Sequence, residues 1–119
     1  MIIQTNDLRI AGIQPLISPK DLKTEIPMTE ESSNTVVRGR EEITRILEKK
    51  DHRMIAVVGP CSIHDPEAGL EYAQRLSRIS EKTKDTIRII MRVYFEKPRT
   101  TLGWRGLIVD PHLDGSYDI

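Results

Sequence analysis

The order of apolar and polar residues divides the chain into an irregular beginning, a helix–strand–helix–strand middle and an irregular end. The first 35 residues hold three of the seven prolines (Pro15, Pro19, Pro27) and a polar run, Thr29-Glu-Glu-Ser-Ser-Asn34. This reads as an extended arm with one short helix, capped by Ser18, started by Pro19 and stopped before Pro27. From about Asn34 to Lys49 the apolar positions Val36, Ile43, Ile46 and Leu47 recur at helical spacing, although Gly39 inside this stretch weakens helix by about 1 kcal/mol against Ala. Met54-Ile-Ala-Val-Val58 is continuously apolar and closed by Gly59-Pro60, which predicts a strand covered on both faces, as in a parallel sheet. Asp65-Pro66-Glu67 is a helix start, with an N-cap, a proline at the first position and an acid in the first turn. Tyr72, Ala73, Leu76 and Ile79 give that helix one apolar face. A second β-rich run covers Ile87–Phe95. Strand, helix and strand over about 40 residues predict a βαβ unit with parallel strands and a right-handed crossover. The segment from Glu96 to Ile119, with Gly103, Gly106, Gly115 and the Asp110-Pro111 turn signal, reads as loop. A loop that long is functional or marks an incomplete unit.

Composition narrows the class. The chain has 119 residues, 38% hydrophobic and 30% charged, with 18 basic and 18 acidic side chains. It is too apolar and too close to neutral for a disordered chain. No apolar run approaches the roughly 20 residues of a membrane span, and the N-terminus lacks the pattern of a secretory signal. Zero net charge gives no support for nucleic-acid or membrane attraction. One cysteine excludes an internal disulfide framework and a cysteine-rich zinc site, and fits a reducing, cytoplasmic setting.

Parallel strands open their C-terminal loops on one edge, where α/β proteins place their sites. Two loops qualify here, Gly59–Asp65 and Glu96–Thr101, so Cys61 and Lys97 are predicted to face one cleft. Residues 86–109 carry Arg88, Arg92, Lys97, Arg99 and Arg105 against Glu96, a local excess of four positive charges. Such a segment is either a solvated basic face or a site for phosphate or carboxylate. Arg88 and Arg92 are expected on the same strand face, which is costly unless an anion or a carboxylate partners it. Cys61 is read first as a small apolar side chain at the sheet rim, with a nucleophile or a metal ligand as alternatives. His64 lies three residues away, and the two together are too few ligands for a structural zinc site. Trp104, the one tryptophan, packs against a neighbouring segment or stacks on a ligand.

Gly59-Pro-Cys-Ser-Ile-His-Asp-Pro66 and Met91-Arg-Val-Tyr-Phe-Glu-Lys-Pro-Arg-Thr-Thr101 resemble signatures of the class I 3-deoxy-D-arabino-heptulosonate 7-phosphate (DAHP) synthases. Gly103-Trp-Arg-Gly-Leu-Ile108 and Asp110-Pro-His112 are similar too, with Arg105 where that pattern has lysine. The resemblance runs over essentially the whole chain but only the N-terminal third or so of the family. It implies an α/β fold that is the N-terminal part of a (β/α)₈ barrel, incomplete in this chain and preceded by a helical N-terminal extension. Residues 1–53 are expected to form the arm and extension, and 54–119 the first two strands and first helix. The implied reaction condenses phosphoenolpyruvate with D-erythrose 4-phosphate and releases phosphate, the first step of aromatic amino-acid biosynthesis. By the same resemblance Cys61 is one ligand of a divalent metal ion, and Arg92 and Lys97 contact phosphoenolpyruvate, with Lys97 also catalytic. Lys97, Pro98, Arg99 and Thr100 help hold erythrose 4-phosphate. The expected assembly is a homo-oligomer, with the arm in subunit contact. The isolated 119 residues are expected neither to fold cooperatively nor to catalyse, since two strands are too few to close a barrel. The alternative readings are a non-catalytic fragment that associates with full-length synthase and a small thiol-dependent protein using Cys61.

Overall fold

A computed structural model of the chain describes residues 3, 5–6, 8, 10, 12–13, 15–97 and 103–117. The chain divides into two units, Met1–Val37 and Arg38–Ile119. In the first, α1 (Pro19–Glu25) begins as the sequence predicts: the Ser18 hydroxyl accepts the Asp21 N–H at 3.2 Å, and Pro19 fills the first turn. No residue of α1 is buried, and Leu16, Ile17, Leu22 and Ile26 are all exposed.

The next helix, α2 (Glu30–Leu47), starts four residues before the expected Asn34. The cause is local. The Thr29 hydroxyl accepts the Ser32 N–H at 3.1 Å and the Thr29 carbonyl accepts the Ser33 N–H at 3.0 Å, so a polar stretch read as arm is a capped first turn. Glu30 and Glu31 in that turn suit the positive end of the helix dipole.

The second unit is the predicted strand–helix–strand, with β1 (Met54–Val58), α3 (Pro66–Thr83) and β2 (Ile87–Met91). The strands pair in parallel, Met54 opposite Ile87 through Val58 opposite Met91, and α3 packs against β2. The Asp65 carboxylate caps α3 by accepting the N–H of Glu67 at 2.8 Å and of Ala68 at 3.4 Å. Ile63, 5% exposed, plugs the turn between β1 and α3 against the bare backbone of Gly69, where an added Cβ would come within 3.3 Å of it.

Two expectations change. β2 ends at Met91 rather than Phe95: the Arg92 N–H still bonds the Val58 carbonyl at 2.7 Å, but β1 is then exhausted and the chain turns away. Nor is β1 covered on both faces. Ile55 and Ala56 are half-buried, while Met54 and Val57 are 68% and 64% exposed, because one helix and one neighbouring strand supply all the described cover.

A charge cluster joins α2 to the strand starts. Glu42 Oε2 lies 3.0 Å from Arg88 Nε and 3.4 Å from Arg53 Nη2, and Arg53 also clasps Asp51 through Nε and Nη2. The Arg88–Glu42 contact is an ion pair between half-buried side chains, its two facing atoms shielded from solvent, rather than an aligned hydrogen bond. Arg88 therefore meets the carboxylate that an arginine inside an apolar strand requires, and its charge belongs to the scaffold. The guanidinium of Arg53 holds the Asp51 carboxyl at a pKa of about 2, against an ordinary 3.8. A depressed carboxyl contributes stability above its ordinary pKa and loses it as pH falls through the lowered one. The clamp is accordingly complete above about pH 4 and lost on acidification toward pH 2. Carbon-13 NMR titration of Asp51 should give a midpoint of about 2, moving back toward 3.8 in Arg53→Ala.

Candidate active site

The C-terminal ends of β1 and β2 approach closely because Gly59 follows Val58. A Cβ on residue 59 would lie 2.3 Å from the Arg92 carbonyl oxygen and 3.0 Å from Arg92 N and Cβ. Only glycine lets the two loops leave side by side. Across this junction Arg92 Nη2 donates to the carbonyls of Pro60 at 3.0 Å and Gly59 at 3.3 Å. The Tyr94 carbonyl accepts the Ile63 N–H at 2.8 Å and the Ser62 hydroxyl at 3.5 Å. The loop carrying Cys61 is thus tied by backbone bonds to the segment carrying Arg92, Tyr94 and Lys97.

Cys61 and Lys97 do meet. Lys97 Nζ donates to Cys61 Sγ at 2.6 Å, with Cys61 exposed and Lys97 half-buried. Cys61 is therefore not the buried apolar rim residue that its type first suggests. Lys97 Nζ and Arg92 Cζ each lie 5.4 Å from the centre of the Tyr94 ring. The result is a sulfur, an ammonium and a guanidinium gathered at one edge of the sheet, a combination suited to phosphate or carboxylate. Pro98, Arg99 and Thr100 lie outside the described residues.

The backbone at Lys97 is held from the other side. Its N–H bonds the Arg105 carbonyl at 2.7 Å, Glu96 and Gly106 form an isolated antiparallel bridge, and Arg105 pairs with Glu96 at 3.2 Å. Gly106 has φ +145°, and a Cβ there would sit 2.1 Å from the Phe95 carbonyl oxygen. Behind this clasp the Asp110 carbonyl takes Trp104 Nε1–H at 2.7 Å, and the buried Asp110 carboxylate accepts the Gly115 N–H at 3.2 and 3.3 Å. Trp104 therefore packs within its own loop. With Arg88 paired to Glu42 and Arg105 to Glu96, the basic stretch leaves Arg92 and Lys97, among the described residues, as the cations facing the cleft. Tyr94 and Gly106 are the contributors that the sequence reading missed. The one signal for Gly106 was its place in a glycine-rich loop, and nothing in the pattern singled out Tyr94.

A divalent metal ion fits these residues only in part. No group of three or more His, Cys, Asp or Glu gathers among the described residues, and Asp65 is spent on capping α3. Cys61 can supply one soft sulfur donor but does not hold an ion alone. A hollow of about 440 Å³ lies at the opposite, N-terminal edge of the strands, with Arg45, Asp51, Arg53 and Lys84 in its lining. Arg53 and Asp51 already satisfy each other there. No described helix is long and apolar enough to cross a membrane.

The DAHP synthetase I family matches residues 25–119. The chain belongs to that family. It is 53% identical over all 119 residues to the Phe-sensitive phospho-2-dehydro-3-deoxyheptonate aldolase of Escherichia coli K12, spanning 34% of that protein. It is 54% identical over 111 residues to the phospho-2-dehydro-3-deoxyheptonate aldolase of Amycolatopsis methanolica, covering 93% of this chain and 55% of the relative. The solved phospho-2-dehydro-3-deoxyheptonate aldolase of Francisella tularensis SCHU S4 superposes with a TM-score of 0.85 at 50% identity, over 92% of this chain and 32% of that one. As a DAHP synthetase I family member, the chain thus spans about a third of the E. coli relative and about half of the Amycolatopsis one.

The glycines give a direct check on how the site is built. Gly59→Ala and Gly106→Ala should each raise the exchange rate of a reporting amide, Arg92 and Lys97 respectively, by about tenfold or more, the scale of an overpacked contact. Gly12→Ala, with nothing within 4 Å of the added Cβ, should leave both amides unchanged. Hydrogen exchange followed by NMR reads all three in the segment joined to the remaining two thirds of a longer relative.

Proposed function

We propose that this chain forms the phosphoenolpyruvate side of a 3-deoxy-7-phosphoheptulonate synthase, a transferase that joins phosphoenolpyruvate to D-erythrose 4-phosphate. The observation that carries the reading is the meeting of Lys97 with Cys61 at 2.6 Å across the ends of two parallel strands, with Arg92 beside them, in a member of this family. The condensation forms a carbon–carbon bond between the enol carbon and the aldehyde carbon, takes up water and releases inorganic phosphate. Its chemical demand on these residues is to hold two phosphorylated substrates, one of them also a carboxylate, in reacting geometry. Arg92 and Lys97 bind the phosphate and carboxylate of phosphoenolpyruvate, and Lys97 also stabilises charge at the reacting end. Pro98, Arg99 and Thr100 help hold erythrose 4-phosphate. Cys61 gives one donor to a divalent metal ion whose other ligands lie beyond the described residues. The ion, when bound, polarises the aldehyde.

In this reading residues 54–119 are the first two strands and first helix of a (β/α)₈ barrel, and residues 1–53 the arm and helical extension that joins subunits of a homo-oligomer. The exposed Met54, Val57 and Leu70 support it, since these are apolar surfaces that a closed barrel covers.

The test is a chimera in which these 119 residues replace the matching third of the E. coli relative. It should release phosphate from phosphoenolpyruvate only when erythrose 4-phosphate is present, and Lys97→Ala should lower kcat/KM by about 100-fold or more. The 119 residues alone should release none. A folded chimera without activity, or one indifferent to Lys97→Ala, refutes the assignment.

A further inference from the structure

Tyr94 lies between the two cations in sequence and beside both in space. Arg92 Cζ and Lys97 Nζ are each 5.4 Å from its ring centre, inside the roughly 6 Å range over which an aromatic face attracts a cation. Tyr94 is 44% exposed, so its place is not explained by core packing. Its backbone carbonyl meanwhile fixes the Cys61 loop through Ile63 and Ser62. One residue therefore ties down the loop that carries the sulfur and offers the surface on which both cations rest.

Arginine and lysine are the side chains with most rotamer freedom to lose, and restraining them before a ligand arrives removes part of the cost of binding. We infer that Tyr94 is a positioning residue, whose ring holds the Arg92 guanidinium and the Lys97 ammonium in place beside Cys61 for a single phosphate- or carboxylate-bearing substrate. The inference rests on the functional reading above for its substrate, and on the ring contacts for its mechanism. The ring face, not the hydroxyl, makes both contacts, so phenylalanine should replace tyrosine and leucine should not.

Two measurements test it. In NMR spectra of the folded chimera, the Lys97 ε-methylene and Arg92 δ-methylene protons should be shifted upfield by the ring in the unsubstituted protein and in Tyr94→Phe. They should return to ordinary positions in Tyr94→Leu. In the chimera, Tyr94→Leu should raise KM for phosphoenolpyruvate by about 5- to 30-fold, the equivalent of two exposed cation–π contacts. Tyr94→Phe should restore KM. Unshifted methylenes, an unchanged KM in Tyr94→Leu, or failure of phenylalanine to rescue overturns the inference. An inactive unsubstituted chimera instead removes the functional reading, and the methylene shifts alone then decide whether the ring holds the two cations.

Discussion

Five residues of parallel pairing, Met54–Val58 against Ile87–Met91, set the edge at which the groups of the candidate site gather. Parallel pairing sends both C-terminal loops out on the same edge, and the register puts Val58 opposite Met91 so that the loops begin level. The absent side chain of Gly59 then lets Arg92 cross to the first loop, since a Cβ there would overlap the Arg92 backbone. A one-residue slip would exchange the faces of the strand, separating Arg88 from Glu42 and moving Arg92 away from the Pro60 carbonyl. Register and site are therefore one constraint.

The charges divide by this geometry. At the N-terminal edge, Glu42, Asp51, Arg53 and Arg88 neutralise one another in a half-buried cluster, which makes that edge structural. At the C-terminal edge, Arg92 and Lys97 have no carboxylate partner among the described residues and rest instead on carbonyls, a sulfur and an aromatic ring. Carbonyls and ring faces hold a cation while leaving its charge uncancelled, which is the condition an anionic substrate needs. A neutral chain thus presents a positive site by spending its acids elsewhere.

Much of this was legible in sequence where local chemistry decides. The Asp65-Pro66 helix start, the apolar run to Val58 and the Ser18-Pro19 cap each became the element they predict, because caps and short apolar runs act through neighbours along the chain. The failures share a different cause. The true start of α2 depended on Thr29 using its hydroxyl as a cap, which a polar run does not distinguish from a loop. The end of β2 depended on where its partner strand stopped, and the fate of Arg88 on a glutamate 46 positions earlier in the chain. For the site, strand topology was enough to bring Cys61 and Lys97 to one edge, but not to reveal Tyr94 or the Gly106 clasp. Those arise from the path of the loops after the strands end, which no periodicity encodes.

The central claim is that this strand pairing gathers Cys61, Arg92 and Lys97 around one anionic substrate. A crystal structure of the chimera grown with manganese and phosphoenolpyruvate tests it most directly. The account predicts phosphoenolpyruvate at the C-terminal edge of β1 and β2, contacted by Arg92 and Lys97, with the Cys61 sulfur bonded to the metal. Phosphoenolpyruvate bound away from that edge, or Cys61 turned away from the ion, would contradict it.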